Sequence, residues 1–301
     1  MNASGFPWPP LDTWINHLAV TPDSNILIGA CIDRTIRLWH AQTNQPLFPP
    51  LKGHTNSVRC LIIANDGMRF FSGSDEGAIR VWNLNSPETS TEVWNNAHRG
   101  AVRTMALSPN GQLAASAGDD GTVRLWNIVH RVPVGESLKY HKFPIASLAF
   151  SSTGNYLASG DEGGCLSIWL VSNEGLKIKS QIKHPHAVPI YSLIATPGTD
   201  DVFAGCGDCT VRRWNLAAST QVGAPWKGHA DAIRCVTLIN NKLVTGSNDS
   251  TIRVWDTGTG AQIGEAWVGP STPVETIATD PKGKFIASAG ANELWSWFVS
   301  Q

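Results

Sequence analysis

The chain has 301 residues, 42% of them hydrophobic, and its 23 lysines and arginines nearly balance its 24 aspartates and glutamates. This balance disfavours nucleic acid or an anionic membrane as a partner, because both attract proteins that carry net positive charge. No apolar run reaches the roughly 18 residues of a membrane span, and the first residues lack the basic and apolar regions of a signal peptide. We therefore expect a cytoplasmic protein that makes no membrane contact, with the nucleus as a second location.

One short pattern returns along the chain: an acidic turn residue, then alternating β-branched and polar residues, then tryptophan. Clear copies run from Asp33 to Trp39, from Asp120 to Trp126 and from Asp249 to Trp255. The repeat tryptophans lie 43, 44, 43, 45, 41 and 42 residues apart and are Trp39, Trp82, Trp126, Trp169, Trp214, Trp255 and Trp297. A period of about 40–45 residues is typical of a four-stranded propeller blade, although tandem helical repeats have a similar length.

The composition of each copy separates these two alternatives. Segments such as Thr251–Trp255 alternate polar and apolar residues and are β-branched, which favours strands over helices. About 15 residues after most repeat tryptophans stands a histidine, and an apolar run opens four residues later. These histidines are His54, His98, His141, His186 and His229.

Together these features resemble the WD40 family. The stretches from Gln45 to His54 and from Gly223 to His229 also resemble the WD40 arrays of fungal signalling proteins. The Trp-Asp dipeptide is intact at Trp255-Asp256. At Trp82, Trp126 and Trp214 the tryptophan is followed by asparagine instead. Some arrays of this kind belong to signalling ATPases, but the sequence contains no phosphate-binding G-x-x-x-x-G-K-[ST] stretch. An ATPase would therefore be a separate chain or a missing portion.

The resemblance implies an all-β fold, a seven-bladed propeller with four antiparallel strands per blade, in a single domain over residues 1–301. In the second blade we predict strands a to d near 57–63, 68–72, 78–83 and 89–94. Few residues follow Trp297, so the last blade lacks an outer strand. We predict that the amino terminus, near Phe6–Trp8, supplies that strand and closes the ring.

The resemblance also implies a hydrogen-bonded set inside each blade, made of histidine, a strand b hydroxyl, the turn acid and the repeat tryptophan. The third and sixth blades carry complete sets, and the second has glutamate as its acid. By position, these sets are His98, Ser116, Asp120 and Trp126; His229, Thr245, Asp249 and Trp255; and His54, Ser72, Glu76 and Trp82. The fifth blade is expected to use His186, Asp208 and Trp214, with Ala204 in place of the hydroxyl. The first blade departs from the pattern at Leu11 and Gly29, the fourth at Gly163, and the seventh at Pro270, Ala287 and Ala291.

Two residue patterns point to other chemistry, and we interpret both as structural. Cys206 and Cys209 form a C-x-x-C pair, but zinc would need two more ligands and a redox pair would need a βαβ context. The repeated His, Ser and Asp residues resemble a hydrolase triad, yet an active site needs one nucleophile and not several copies. We therefore expect no catalytic residue, no metal and no cofactor.

By the resemblance, partners bind the face around the channel mouth, where the d-to-a and b-to-c loops lie. The third and fifth residues after each histidine position, and the residue before each turn acid, face this mouth. The candidate partner-binding residues are Trp14, Asn16, Ile32, Arg59, Asp75, Arg103, Asp119, Glu162, Tyr191, Arg234, Asn248 and Glu275. Arg, Trp and Tyr are enriched in binding hot spots, while the alternative for Arg59 with Asp75 and for Arg103 with Asp119 is a solvated ion pair of little energy.

These expectations predict a non-catalytic interaction scaffold, a monomer that docks a protein or peptide at the channel mouth. One alternative is an enzyme with its pocket at the mouth. Another is a reader of modified lysine, for which Trp14, Tyr191 and Glu275 offer aromatic and acidic groups. Trp14 and Tyr191 belong to distant blades, which weighs against a shared cage.

Overall fold

The computed structural model describes residues 3–88, 92–184 and 186–299, without the side chains of residues 3, 4 and 299. All regular elements in these ranges are β-strands, as the alternating pattern predicts. No helix in the described part of the chain is long and apolar enough to cross a membrane.

The strands follow one another in seven sheets that correspond to the seven sequence repeats. Strand β1 (Ala3–Pro7) precedes the first blade, and blade 1 contains β2 (Ile15–Val20), β3 (Ile26–Cys31) and β4 (Ile36–His40). Blade 2 contains β5 (Val58–Ile63), β6 (Arg69–Ser74), β7 (Ile79–Asn83) and β8 (Glu92–Trp94). Blade 3 contains β9 (Val102–Leu107), β10 (Leu113–Gly118), β11 (Thr122–Asn127) and β12 (Val132–Lys139). Blades 4 and 5 contain β13 (Ile145–Phe150), β14 (Tyr156–Asp161), β15 (Cys165–Ser172) and β16 (Gly175–Lys183); and β17 (Ile190–Ala195), β18 (Asp201–Cys206), β19 (Thr210–Asn215), β20 (Thr220–Gln221) and β21 (Trp226–Lys227). Blades 6 and 7 contain β22 (Ile233–Ile239), β23 (Lys242–Ser247), β24 (Thr251–Asp256) and β25 (Trp267–Val268); and β26 (Thr276–Thr279), β27 (Phe285–Gly290) and β28 (Glu293–Val299).

The blades are antiparallel and form a closed ring. Each innermost strand packs against that of the next blade, and β26 of the last blade packs against β2 of the first. This confirms the predicted seven-bladed propeller. In blade 2 the first three strands lie within two residues of the predicted bounds, and β8 falls inside the predicted fourth strand, whose first residue, Thr89, lies outside the described residues.

The ring is closed by the amino-terminal strand, as predicted. Strand β1 pairs antiparallel with β28, from Ala3 opposite Val299 to Pro7 opposite Trp295. The next residue, Trp8, is buried; its indole Nε1 donates to Ser296 Oγ over 2.8 Å. Its ring meets the edge of Trp39 of blade 1 at 5.8 Å. Trp8 therefore fastens the last blade to the first by packing as well as by a hydrogen bond.

Tryptophans also join neighbouring blades elsewhere in the ring. Trp94 at the outer edge of blade 2 stacks on Trp126 of blade 3, with ring centroids 4.8 Å apart. Trp267 of blade 6 stacks on Trp297 of blade 7 at 5.6 Å. Such offset aromatic contacts contribute about 0.5–1.5 kcal/mol beyond the apolar area that they bury.

The turns between the second and third strands of the blades share one backbone requirement. One residue in each turn has a positive φ, which glycine adopts most readily. The seven residues are Arg34, Gly77, Gly121, Gly164, Cys209, Ser250 and Ala291. Cys209 therefore belongs to a hairpin turn, while Cys206 is buried at the end of β18, and both thiols are free. The C-x-x-C pair is thus explained by its place in a hairpin.

Replacing Trp8 tests how much the closure stabilises the ring. Trp8→Ala should lower the free energy of unfolding by about 3–5 kcal/mol, because it leaves a cavity between the first and last blades and removes the bond to Ser296. Urea denaturation measures the difference. Phe6→Ala in the same strand removes a side chain that is 53% exposed and should change the value by less than about 1 kcal/mol. Equal effects of the two changes would contradict a closure fastened by Trp8.

Candidate interaction face

The channel mouth is shaped by a β-bulge near the start of the innermost strand in blades 1 to 6. In blade 2, Val58 pairs with Ser74 and Cys60 with Gly73, so that Arg59 has no partner in the ladder. A bulge re-aims the side chain of its extra residue. The bulged residues are Asn16, Arg59, Arg103, Ala146, Tyr191 and Arg234.

A cavity of about 400 Å³ lies at this mouth, and the bulged residues surround it. Nine of the twelve candidate residues line the cavity, namely Trp14, Asn16, Ile32, Arg59, Arg103, Glu162, Tyr191, Arg234 and Glu275. Asp75, Asp119 and Asn248 do not line it. The first two touch it indirectly, because each is bonded to an arginine that does. Trp14 and Tyr191 share this cavity although they belong to distant blades.

Two of the arginines form the ion pairs that the sequence offers. Arg59 binds Asp75 through two bonds, of 2.7 and 2.8 Å. Arg103 binds Asp119, and its Nη1 also donates to Glu162 of blade 4 over 2.8 Å. The arginine side chains are 41% and 37% exposed, so each pair contributes at most about 1 kcal/mol to stability. Their main effect is to fix where the charges lie on the mouth.

A third arginine connects three blades. Arg234 Nε of blade 6 donates to Glu275 of blade 7 over 3.0 Å. The guanidinium carbon lies 4.3 Å from the centroid of the Tyr191 ring of blade 5. A cation over an aromatic face is attracted by the ring quadrupole. One face of Tyr191 is therefore already occupied.

Large apolar side chains stand beside these charges. Trp14 is 56% exposed and Ile32 is 47% exposed, and the two are held together by the Ile32 amide, which donates to the Trp14 carbonyl over 3.0 Å. Phe143 in the loop before β13 is 53% exposed and covers Gly163. Phe143 was missed because it is the second residue after His141, whereas the predicted positions are the third and fifth. An aromatic residue in a loop at the mouth was the sequence feature that could have predicted Phe143 as part of this face.

The mouth also contains a histidine that was not among the candidates. His17 on β2 lines the cavity, and its buried Nδ1 has no hydrogen-bond partner among the described residues. Burial lowers the pKa of His17 to about 4, so that the ring is neutral at pH 7. A neutral imidazole with a free nitrogen offers a hydrogen bond to a group that enters the channel.

The hydrogen-bonded sets predicted for blades 2, 3 and 6 are present. In blade 3, His98 Nε2 and Trp126 Nε1 each lie 2.8 Å from Ser116 Oγ. His98 Nδ1 lies 3.1 Å from Asp120 Oδ1. Burial raises the pKa of Asp120, but its bonds to His98, Thr122 and the Arg99 amide hold the pKa well below the usual range. The carboxylate is therefore ionised, and its hydrogen bonds inside the blade account for its low pKa.

Blade 4 also has a complete set, which the departure assigned to Gly163 did not predict. Asp161, two residues earlier, provides the acid: its Oδ2 lies 2.7 Å from His141 Nδ1. His141 Nε2 and Trp169 Nε1 meet Ser159 Oγ at 2.7 and 2.8 Å. The blade satisfies its polar groups because the carboxylate reaches the histidine from the end of β14 instead of from the turn.

Blade 7 departs from the prediction in a related way. Its turn between the second and third strands is one residue shorter, which moves the hydroxyl position from Ala287 to Ser288. Trp297 Nε1 accordingly donates to Ser288 Oγ over 2.8 Å. Glu293 binds the amide and hydroxyl of Ser271, as Glu76 does for Thr55 in blade 2.

In blade 5 the assignment of His186 was wrong. His186 is exposed and has no hydrogen bond to Asp208 within the described ranges. The amide of His184 donates to the Gly164 carbonyl, as the His98 amide does to Gly77, so His184 begins the loop at the matching place. Two more residues then separate it from the first strand than in blade 3. With this longer loop, both histidines line a cavity that Trp214 also lines, and neither is hydrogen-bonded to Asp208 among the described residues.

One buried cluster in blade 4 has side chains of the metal-ligand type. His141, Asp161 and Cys165 bring their ligand atoms within 4.8 Å of one another. Asp161 Oδ1, however, accepts from the amides of Gly163 and Cys165, and Oδ2 is bonded to His141. Burial raises the pKa of the Cys165 thiol, which disfavours the thiolate that a metal needs. The hydrogen-bonded set accounts for the cluster.

Ser159→Ala tests the set that the sequence did not predict. It should lower the free energy of unfolding by about 2–4 kcal/mol, because His141 Nε2 and the Trp169 indole N–H would both lose a buried partner. Chemical denaturation measures the loss. Ser152→Ala removes an exposed hydroxyl that bonds only a backbone carbonyl and should cost less than about 1 kcal/mol. Comparable losses would show that the blade 4 set does not stabilise the fold.

The low pKa of His17 predicts a pH dependence of stability. The unfolded chain would bind the proton near pH 6.5 and the folded chain only near pH 4, so the contribution of His17 is complete above pH 6.5 and is lost as pH falls towards 4. By linkage the loss approaches about 3 kcal/mol. His17→Gln should make the fall in unfolding free energy between these pH values shallower, as denaturant titrations at several pH values would measure. Identical slopes would mean that His17 titrates normally.

One family model matches nearly the whole chain, and two relatives match half and about two thirds of it. A family model described as the IFT122 first beta-propeller matches residues 14–293. Transducin-like enhancer protein 2 of Mus musculus is 26% identical over 159 residues, which are 50% of this chain and 19% of that protein. Target of rapamycin complex subunit wat1 of Schizosaccharomyces pombe is 24% identical over 208 residues, 68% of this chain and 65% of that protein.

The chain thus covers less than two thirds of the length of each of these two relatives. The family model, in contrast, covers six of the seven repeat tryptophans and ends just before the seventh, Trp297. Together with the ring of seven antiparallel blades, this match shows that the chain belongs to the WD40 β-propeller family.

Proposed function

We propose that the protein is a non-catalytic scaffold that docks a protein or peptide on the face around the channel mouth. The observation that supports this most is the convergence of nine candidate residues from all seven blades on one cavity. Membership of a family whose propellers are generally non-catalytic supports the same conclusion. A propeller fold hosts many tasks, so the proposal depends on the mouth and not on the fold alone.

The mouth combines two kinds of contact that protein interfaces use. Trp14 and Ile32 offer exposed apolar surface, whereas the arginines are already held by carboxylates. A partner would gain energy mainly by burying the apolar side chains, while the fixed charges would set its orientation. The polar lining of the cavity and the exposed apolar side chains beside it suit an inserted side chain or a peptide turn better than a free metabolite.

The two alternative functions have less support. A cage for modified lysine would need the face of Tyr191, but Arg234 already lies over that ring. An enzyme at the mouth would need a free acid or base, yet Glu162 and Glu275 are bonded to arginines. His17 also lines the mouth, but its low pKa suits a weak base only.

The relatives suggest where such a scaffold could act. One of them is named as a subunit of a target of rapamycin complex, and we infer by analogy that this chain also works as a component of an assembly. With nearly balanced charges, its partner would be a protein or peptide and not nucleic acid. The proposed module is itself a monomer and cytoplasmic, with the nucleus as a second location.

A double substitution tests the docking face. Trp14→Ala combined with Ile32→Ala should weaken capture of specific partners from a native extract at least about tenfold, because it removes two neighbouring exposed apolar side chains from the mouth. Quantitative mass spectrometry of the captured proteins measures the change, and a thermal melt checks that the variant stays folded.

A matched control lies at the opposite end of the propeller. Met68 in the turn between β5 and β6 is 56% exposed, as Trp14 is, and Met68→Ala should leave the captured proteins unchanged. If the mouth variant and the Met68 variant capture the same proteins in the same amounts as the wild type, the docking site lies elsewhere.

A further inference from the structure

Blade 5 contains a gap where other blades contain a histidine. His54, His98, His141 and His229 are all buried, each between the strand b hydroxyl and the acid of its blade. In blade 5 the loop is longer, His186 is exposed, and Ala204 replaces the hydroxyl. Within the described residues, which leave out position 185, no histidine and no hydroxyl takes the places that they take in blades 2, 3, 4 and 6.

A cavity of about 570 Å³ opens at this place. Its walls include Trp214, the acid Asp208 and Ile190, the first residue of the innermost strand, and these three positions surround the histidine in blade 6 as Trp255, Asp249 and Ile233. Ile182 and Val188 add apolar surface. The volume lies within the range of about 300–1,000 Å³ that is typical of small-ligand sites, and such sites are mostly apolar with a few placed polar groups.

His184, His186 and Arg212 also line the cavity, and two of its polar groups, Trp214 and Asp208, have unused bonding capacity. Trp214 is buried, and its indole N–H has no hydrogen-bond partner in the part of the chain that the structure describes. By comparison, Trp169 and Trp255 donate to a hydroxyl. Asp208 Oδ2 accepts from Arg212 over 2.7 Å but from no histidine. In blade 6 the matching oxygen, Asp249 Oδ2, lies 2.9 Å from His229 Nδ1.

These unfilled bonds define the chemistry of an occupant. It needs an N–H that donates a hydrogen bond to the Asp208 carboxylate and an atom that accepts a hydrogen bond from the indole N–H of Trp214. Between these it needs a flat apolar body that contacts Ile182 and Val188. We infer that the cavity of blade 5 binds a small planar nitrogen heteroaromatic, in the place that an imidazole ring takes in the other blades.

This site lies apart from the mouth. None of its lining residues lines the cavity at the channel mouth, so a ligand could bind while a partner is docked. The small-ligand site and the docking face therefore succeed or fail independently in experiments.

Three ring compounds of nearly equal shape test the two hydrogen bonds one at a time. Benzimidazole has both the N–H and the acceptor nitrogen, indole has the N–H alone, and 1-methylbenzimidazole has the acceptor alone. In calorimetric or ligand-observed NMR titrations of the full chain, benzimidazole should bind about tenfold more tightly than either of the others, because each of them makes only one of the two hydrogen bonds.

Two variants locate the binding in blade 5. Trp214→Phe keeps an aromatic wall but removes the N–H, and should weaken benzimidazole about tenfold and erase its advantage over indole. Val188→Trp should fill the cavity and abolish binding. The matched control is Trp39→Phe, because Trp39 is a repeat tryptophan facing Gly29, which has no hydroxyl, and it does not line this cavity; this change should leave binding as in the wild type.

The inference is overturned by any of three results. Benzimidazole could fail to bind the folded wild type at millimolar concentration. It could bind with the same affinity after Val188→Trp, or with the same preference over indole after Trp214→Phe, each in a protein whose melt shows that it is folded.

Discussion

The structure depends on one long-range pairing, that of β1 with β28. Without it blade 7 would present three strands and an open edge, and an open edge is a template for pairing with other chains. The same segment carries Trp8 into the space between the last and first blades. Residues of all seven blades can line one cavity only because the ring is held shut, so the geometry of the mouth is a consequence of this closure.

Inside the blades, polar groups are buried at a fixed place and must be paired there. The structure meets this requirement by geometry and not by fixed sequence positions. Blade 4 uses a carboxylate from the end of β14, and blade 7 uses a hydroxyl that a shorter turn brings into reach. Blade 5 does not fill the place at all. Blade 1 also lacks the set, since Gly29 faces Trp39 there, and the repeats that contain it share the bonding geometry more closely than they share a sequence.

The period of the tryptophans and the alternation before each of them were sufficient to predict the blades, their order and the closing strand. The same counting failed for Asp161, Ser288 and His186, because transferring a role by position assumes loops of constant length. A change of one or two residues in a loop breaks that assumption while leaving the strands intact.

The candidate face was predictable in part, for a related reason. A residue such as Arg59 follows from its place in the repeat, and its partner Asp75 belongs to the same blade. The contacts of Arg103 with Glu162, and of Arg234 with Tyr191, cross between blades that the sequence does not bring together. These contacts, like the burial of His17, depend on the curvature of the ring. The sequence pattern within one repeat does not predict that curvature.

The bulges at the mouth separate the residues that face a partner from the residues that hold the sheet. A bulged side chain has no neighbour directly across the strand, so its replacement leaves the ladder bonds unchanged. The positions already hold residues as different as Asn16, Ala146 and Tyr191 on strands of the same shape. Recognition by this propeller can therefore diverge during evolution through single substitutions at the mouth, while the fold beneath it stays under separate selection.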